Sequence, residues 1–192
     1  MISRVFLATL ALLAAVWWPG PALAQPRYSP DEVKAAFLYN FASFVEWPAA
    51  ARAQEGLVIG VLGAEEVEAE LRRQVAARAG PGRSVTVKRI EPGEELSGTH
   101  VLYVGVREGA RLARIQAVLR DKPVLVVSDA VDGLERGSMI NFLVGERVQF
   151  EIALDNATRV GLRLSSRLLS VAVRVKKGSA PDVPMYAGLR LR

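Results

Sequence analysis

Residues 31–48, DEVKAAFLYNFASFVEWP, contribute more to the fold prediction than any other stretch of this chain. Wound as a helix at about 100° per residue, the stretch presents two faces of different kinds. One face predicts a core contact, because its apolar side chains fall within an arc of roughly 140°, about what a helix needs to dock on a sheet. The members of that face are Val33, Phe37, Leu38, Phe41, Phe44 and Val45.

The opposite face carries aromatic and neutral polar side chains where a solvated helix would carry Lys and Glu. It consists of Ala36, Tyr39, Asn40, Ser43 and Trp47. Aromatic residues with a polar atom are enriched at protein interfaces. Two interpretations stay open: a surface that binds a partner or a second copy, or a face covered within the domain by another element or the C-terminal tail.

Residues on either side of the apolar core predict where this helix begins and ends. Ser29 is a plausible N-cap, Pro30 suits the first helical position, and the acids that follow complement the helix dipole. Pro48 marks the predicted end of the helix.

The N-terminus has the three regions of a secretory signal peptide. Arg4 precedes an apolar run at residues 5–18, helix breakers follow at residues 19–21, and Ala22 and Ala24 provide the small side chains that cleavage requires. We therefore expect residues 1–24 to be removed and the mature chain to begin at Gln25 in the periplasm, with a retained anchor as the alternative.

The length of the mature chain predicts one domain, residues 25–176, followed by a loose tail at residues 177–192. The formal charge is +5, but basic residues are scattered among acids, which argues against nucleic acid as a partner. The chain has no Cys, so disulfides, thiol redox switches and thiolate metal sites are excluded.

Apolar runs rich in β-branched residues alternate with helical patterns along the chain, which predicts an α/β domain. We expect three layers: a mostly parallel sheet with crossover helices on both faces, then a C-terminal hairpin and helix. Lys88 and Arg89 suggest that their strand lies near a sheet edge. The predicted strands cover residues 57–62, 84–90, 100–105, 123–128, 139–144 and 148–154, and the predicted middle helices cover residues 64–79 and 109–120.

No residue pattern indicates catalysis, a metal site or a bound cofactor. His100 is the only His, it begins a predicted strand, and no G-x-S-x-G elbow accompanies it. The acids of the second predicted helix are spaced as its solvated face. Those acids are Glu65, Glu66, Glu68 and Glu70.

The turn after the first strand, residues 60–64, does not have the spacing of a nucleotide-binding loop. Glu65 and Glu66 would also repel an anion from the helix that follows. Small-ligand binding elsewhere at the carboxyl ends of the strands stays open, since ligands bind there in open α/β sheets. The residues expected at that edge are Gly63, Gly105, Ser128 and Asp129, and ordinary turn chemistry is the alternative explanation for them.

Residues 155–175 read as a short and a longer helix divided at Gly161, with Ser165 or Ser166 capping the second. Three arginines then follow one stripe of that segment: Arg163, Arg167 and Arg174. Guanidinium groups at this spacing either bind carboxylates or phosphates of a partner, or form a solvated basic face. The predicted core line beside them is Leu164, Leu168, Val171 and Val175.

Two segments carry a resemblance to a known family. Residues 34–48, KAAFLYNFASFVEWP, and residues 137–172, GSMINFLVGERVQFEIALDNATRVGLRLSSRLLSVA, resemble the YfiR family of bacterial periplasmic proteins. Its best-known members repress an inner-membrane diguanylate cyclase. The resemblance implies a regulator that binds the sensory domain of such a cyclase and lowers cyclic-di-GMP signalling and biofilm formation. We also expect a protein without catalytic activity that forms a homodimer.

Family members can carry disulfides, so any redox-controlled release does not transfer to this chain, which has no Cys. A periplasmic small-ligand receptor and an unrecognised enzyme are the alternative functions.

Overall fold

The computed structural model describes residues 28–52, 56–78 and 84–177. The signal peptide expected at residues 1–24, the mature terminus at Gln25 and the tail beyond residue 177 lie outside these ranges. The helices are α1 (Pro30–Phe44), α2 (Ala49–Arg52), α3 (Glu65–Ala77), α4 (Leu112–Val118), α5 (Leu154–Arg159) and α6 (Ser166–Val171), with a 3₁₀ helix at Val106–Arg111.

The strands form one large sheet and one small one. Their bounds are β1 (Val45–Glu46), β2 (Leu57–Leu62), β3 (Val85–Ile90), β4 (Val101–Val104), β5 (Leu125–Ser128), β6 (Ile140–Val144), β7 (Val148–Ala153), β8 (Arg163–Leu164) and β9 (Arg174–Lys176). The large sheet has the order β3-β2-β4-β5-β6-β7-β9, and β1 pairs with β8 in the small sheet.

The large sheet is mixed and mostly parallel, as predicted. Its strands β3, β2, β4, β5 and β6 run parallel, β7 turns back antiparallel to β6, and β9 runs parallel to β7. The predicted hairpin is therefore confirmed as β6–β7. The predicted edge position of Lys88 and Arg89 is also confirmed, because β3 is an outer strand.

Successive side chains of the central strands point to opposite faces of the sheet, and both faces are buried. In β4, Val101 and Tyr103 pack into the core beneath α1, α3 and α6, whereas Leu102 and Val104 pack into the core beneath α4. This arrangement confirms the three-layer α/β architecture.

A capping box fixes the start of α1 as the sequence predicted. The Glu32 amide donates to Ser29 Oγ at 3.1 Å, and the Ser29 amide donates to Glu32 Oε2 at 3.3 Å. Each such cap stabilises a helix by about 1 kcal/mol. The predicted end at Pro48 is wrong: α1 ends at Phe44, because Val45 leaves the helix to pair with Leu164 across β1 and β8.

The buried face of α1 is rotated relative to the predicted core face. Ala35 and Ala42 are buried, and their small side chains let α1 lie close to the structure beneath it. Phe37 is only half-buried, with its ring stacked on Phe41 at 5.8 Å between centroids. The predicted core is confirmed for Leu38, Phe41 and Val45, and in part for Phe37 and Phe44, which are half-buried and pack against it. It is wrong for Val33, which is half-buried and lies outside that core.

The C-terminal segment contains the predicted break at Gly161 (φ +78°), and Ser165 Oγ accepts from the Leu168 amide to cap α6. The second helix, α6, is shorter than predicted, because the chain leaves the helix after Val171 and β9 pairs with β7. The predicted core line is therefore confirmed only in part. Leu168 is buried, whereas Val171 is 60% exposed.

Candidate functional site

A cavity of about 590 Å³ runs along the outer side of α1 and α3, and we call it the α1–α3 groove. Two residues of the predicted contact face, Ala36 and Asn40, line it. The remaining lining comes from Tyr28, Glu32, Val33 and Phe37 around α1 and from Glu70, Arg73, Gln74, Ala77 and Arg78 around α3.

The charges of the groove are largely neutralised within the chain. Arg73 lies 2.6 Å from Glu70 and 3.4 Å from Glu32, and Gln74 donates to Glu70 at 2.8 Å. The bond from Gln74 and the contact with Arg73 hold the pKa of Glu70 below its ordinary value despite partial burial. The groove therefore presents apolar surface from Val33 and Phe37 beside paired polar groups, a combination typical of protein-binding surfaces.

Tyr39 and Ser43 lie on α1 beside the groove. Tyr39 is half-buried against the core, and the guanidinium of Arg78 lies over its ring at 4.8 Å from the centroid. Ser43 is exposed one turn after Tyr39. The outer face of α1 thus continues from the groove to the end of the helix.

Trp47 does not belong to that outer face, and its prediction as a contact residue is wrong. Its side chain is 3% exposed and meets His100 edge to face at 6.1 Å between ring centroids. The helical projection does not extend to Trp47, because α1 ends at Phe44 and β1 turns the chain inward. Trp47 is a core residue.

The three predicted arginines do not form one helical stripe. Arg163 lies in β8, opposite Glu46 in β1, and Arg167 lies on α6; both are exposed. Arg174 lies in the edge strand β9, where its Nε donates to the buried carboxylate of Glu151 at 2.9 Å. Arg174 thus neutralises a carboxylate of its own domain, and because its side chain is more than half exposed, its contact with a partner stays a prediction.

The predicted ligand crevice is closed between Gly63 and Gly105. These residues follow the neighbouring strands β2 and β4, as expected, but a Cβ placed on Gly105 would collide with the carbonyl oxygen of Gly63. Gly63 also has φ +67°, a conformation that favours glycine. Close backbone contact therefore leaves no room for a ligand between Gly63 and Gly105.

Ser128 and Asp129 are engaged in internal contacts at the end of β5. Ser128 is fully buried and donates to Asn141 Oδ1 at 2.6 Å. Asp129 pairs with Lys34 of α1 at 3.0 Å and borders a cavity of about 790 Å³ between the loop after β5 and the last strands of the sheet. Burial, together with the nearby carboxylate of Asp129, raises the pKa of Tyr103.

The sequence suggested that the acids of α3 form a solvated face, but the structure does not leave all of them in solvent. Glu65 and Glu66 are exposed, but Glu68 is 5% exposed and lies 2.7 Å from Arg89 of β3 and 2.9 Å from Arg72. Burial raises the pKa of Glu68, yet the two guanidinium groups outweigh that effect and hold it below the ordinary value. Pairing with a neighbouring strand explains this burial.

His100 is buried at the start of β4, where its Nδ1 accepts from the Val58 amide at 3.2 Å. That bond connects β4 to β2 and gives His100 a structural role. In the part of the chain that the structure describes, no group of three His, Asp or Glu side chains is placed to hold a metal ion.

Comparison with known proteins assigns this chain to a family. A sequence model described as YfiR/HmsC-like matches residues 31–173, which include all of α1 except Pro30, all of the groove lining except Tyr28, and the C-terminal segment up to Val173. The chain belongs to the YfiR/HmsC-like family. Family membership indicates a regulatory protein of the periplasm connected with diguanylate cyclase signalling.

The fold also resembles a solved structure, a conserved domain protein from Vibrio cholerae O1 biovar El Tor strain N16961. The TM-score is 0.56 at 13% identity, and the match covers 77% of this chain and 60% of that one. At this identity the likeness concerns the fold alone. Within residues 28–52, 56–78 and 84–177, no helix is long and apolar enough to cross a membrane.

Proposed function

We propose that this protein is a periplasmic repressor that binds the sensory domain of an inner-membrane diguanylate cyclase and holds the enzyme inactive. The observation that carries the proposal is the YfiR/HmsC-like match over residues 31–173. A repressor of this kind shifts the cyclase toward its inactive state only by its differential affinity for the two states. Lower cyclic-di-GMP and less biofilm are the expected consequences.

The α1–α3 groove supports this proposal as the partner-binding surface. Its volume of about 590 Å³ accommodates an apolar anchor side chain of the cyclase. Glu70 and Arg73 already neutralise each other, so docking does not leave either charge unpaired. Ala36 and Asn40 line the groove and Ser43 extends it, so these three residues form the proposed contact face, with Tyr39 at its side.

Arg163 and Arg167 are proposed as additional contacts at the far end of this face. Both are exposed, near the C-terminal end of α1, where β8 pairs with β1 and α6 packs on α1. Acidic groups of the cyclase would pair with them at the rim, where such contacts mainly increase the association rate.

The expected homodimer is proposed through a different surface. Val171 and Val173 are 60% and 49% exposed and do not line the groove. A second copy bound there leaves the groove free for the cyclase. Sedimentation velocity of the wild type and of Val171→Ser tests this part: a dimer that the substitution leaves intact contradicts the proposed surface.

The function is tested by measuring cyclic-di-GMP in the source bacterium after deletion of the gene. Deletion is expected to raise the cyclic-di-GMP level, and the wild-type gene is expected to restore it. Ala36→Arg blocks the groove and should fail to restore it, whereas Ala117→Arg, at an exposed alanine of α4, should restore it fully. An unchanged level after deletion would contradict the proposed function.

A further inference from the structure

A second cavity, of about 570 Å³, lies on the face of the sheet opposite α1, between residues 91–96 and α4. Its floor is apolar: Leu62 and Ile90 are the last residues of β2 and β3, and Leu96 covers them from the loop. Ile115 and Val118 of α4 complete the apolar lining. The volume is within the range of small-molecule sites, which is about 300 to 1,000 Å³.

Charges of opposite sign border this cavity from two different elements. The loop after β3 brings carboxylates to one side, and the 3₁₀ helix, α4 and the turn that follows bring cations to the other. The carboxylates belong to Glu91, Glu94 and Glu95, and the cations belong to Arg111, Arg114 and Lys122.

Several of these charges are already paired within the chain. Glu94 lies 2.8 Å from Lys88, and Arg111 pairs with Glu108. Among the residues that the structure describes, neither Arg114 nor Lys122 has a carboxylate within ion-pair distance. Two cations are therefore available for a ligand beside an apolar floor.

We infer that this cavity binds a zwitterion with an apolar body, of the class of short apolar peptides with free termini. The carboxylate of the ligand pairs with Arg114 and Lys122, its ammonium faces the loop carboxylates, and its apolar side chains cover Leu62 and Ile90. A ligand with only a negative charge would place apolar surface against the carboxylates of the cavity. A ligand with only a positive charge would place apolar surface against Arg114 and Lys122. Either arrangement is unfavourable for the charged groups.

This site is distinct from the α1–α3 groove, because the sheet separates the two. It also differs from the predicted crevice, which Gly63 and Gly105 close. Ligand binding in this cavity therefore does not depend on the cyclase partner.

Isothermal titration calorimetry of the purified protein with leucyl-leucine tests the inference, with N-acetyl-leucyl-leucinamide as the uncharged probe and octanoate as the anionic one. We expect binding of the free dipeptide and at least about tenfold weaker binding of the other two. Arg114→Gln and Lys122→Gln should each weaken dipeptide binding about tenfold. Arg120→Gln, an exposed arginine that does not line the cavity, should have no effect.

Melting temperatures of the three variants, compared with the wild type, separate loss of binding from loss of folding. Three results would overturn the inference: no binding of the dipeptide, equal or tighter binding of either other probe, or an equal loss of affinity in Arg120→Gln. If Arg114→Gln melts well below the wild type, the test relies on the dipeptide affinity of Lys122→Gln, provided that this variant melts like the wild type.

Discussion

The ammonium group of Lys34 lies 3.0 Å from the carboxylate of Asp129, and this buried ion pair joins α1 to the end of β5. Asp31 contacts the same ammonium at 2.9 Å. Burial lowers the pKa of Lys34, but the two carboxylates outweigh burial and raise it above the ordinary value. The pair thus positions the helix that carries the proposed partner surface.

We predict that Lys34→Met destabilises the fold by about 3 to 5 kcal/mol, because it leaves the Asp129 carboxylate buried without its cation. Urea unfolding at pH 7 measures the change. The double variant Lys34→Met/Asp129→Leu should recover most of the loss, since no unpaired charge stays buried. A single variant as stable as the wild type would show that this pair is not buried.

Glu68 predicts a pH dependence of stability. Its pKa is lowered in the folded state, so its contribution is present above the unfolded pKa of about 4.3 and disappears as the pH falls through the folded value. Glu68→Gln should therefore lower the melting temperature at pH 7 and have a smaller effect near pH 3. Glu66→Gln, at an exposed position of the same helix, serves as the control and should change little at either pH.

Within residues 31–48, Trp47 is a core position and Asn40 is a surface position. Trp47→Ala should destabilise the protein by about 3 to 5 kcal/mol, as expected for a buried aromatic side chain. Asn40→Ala should stay within about 0.5 kcal/mol of the wild type, because Asn40 is exposed. Thermal unfolding of the two variants measures the difference. A wild-type melting temperature for Trp47→Ala would show that the Trp47 side chain lies in solvent.

Gly105→Ala tests the closure of the predicted crevice. The added methyl group collides with the carbonyl of Gly63, so we predict a loss of about 1 to 3 kcal/mol. Gly145→Ala, in the β6–β7 turn where a Cβ meets no atom within 4 Å, is the matched control and should be nearly neutral. Equal stability of the two variants in chemical denaturation would mean that the space beside Gly105 is open.

Local signals in the sequence predicted much of this fold. The Ser29 cap depends only on residues within one helical turn. The apolar runs at β2 and β4 predict buried strands whichever strands lie next to them. Such features follow from propensity and periodicity because their partners are nearby or interchangeable.

Features that depend on distant pairing could not be predicted in this way. α1 ends at Phe44 because β1 meets β8, more than a hundred residues later, and that meeting also buries Trp47. Likewise, Arg174 binds Glu151 only because β9 joins the sheet. The candidate site has the same origin: Ala36 and Asn40 were predicted from α1 alone, but α3 completes the groove with Arg73 and its neighbours.

Site-specific photocrosslinking in living cells tests whether the α1–α3 groove binds a diguanylate cyclase. A photoreactive amino acid replaces Asn40 beside the groove or, as the control, Ala117 on α4, and crosslinked proteins are identified by mass spectrometry. We predict that position 40 captures a membrane protein with a diguanylate cyclase domain and that position 117 does not. The absence of any diguanylate cyclase at position 40, or equal capture at position 117, would show that the α1–α3 groove is not the cyclase-binding surface.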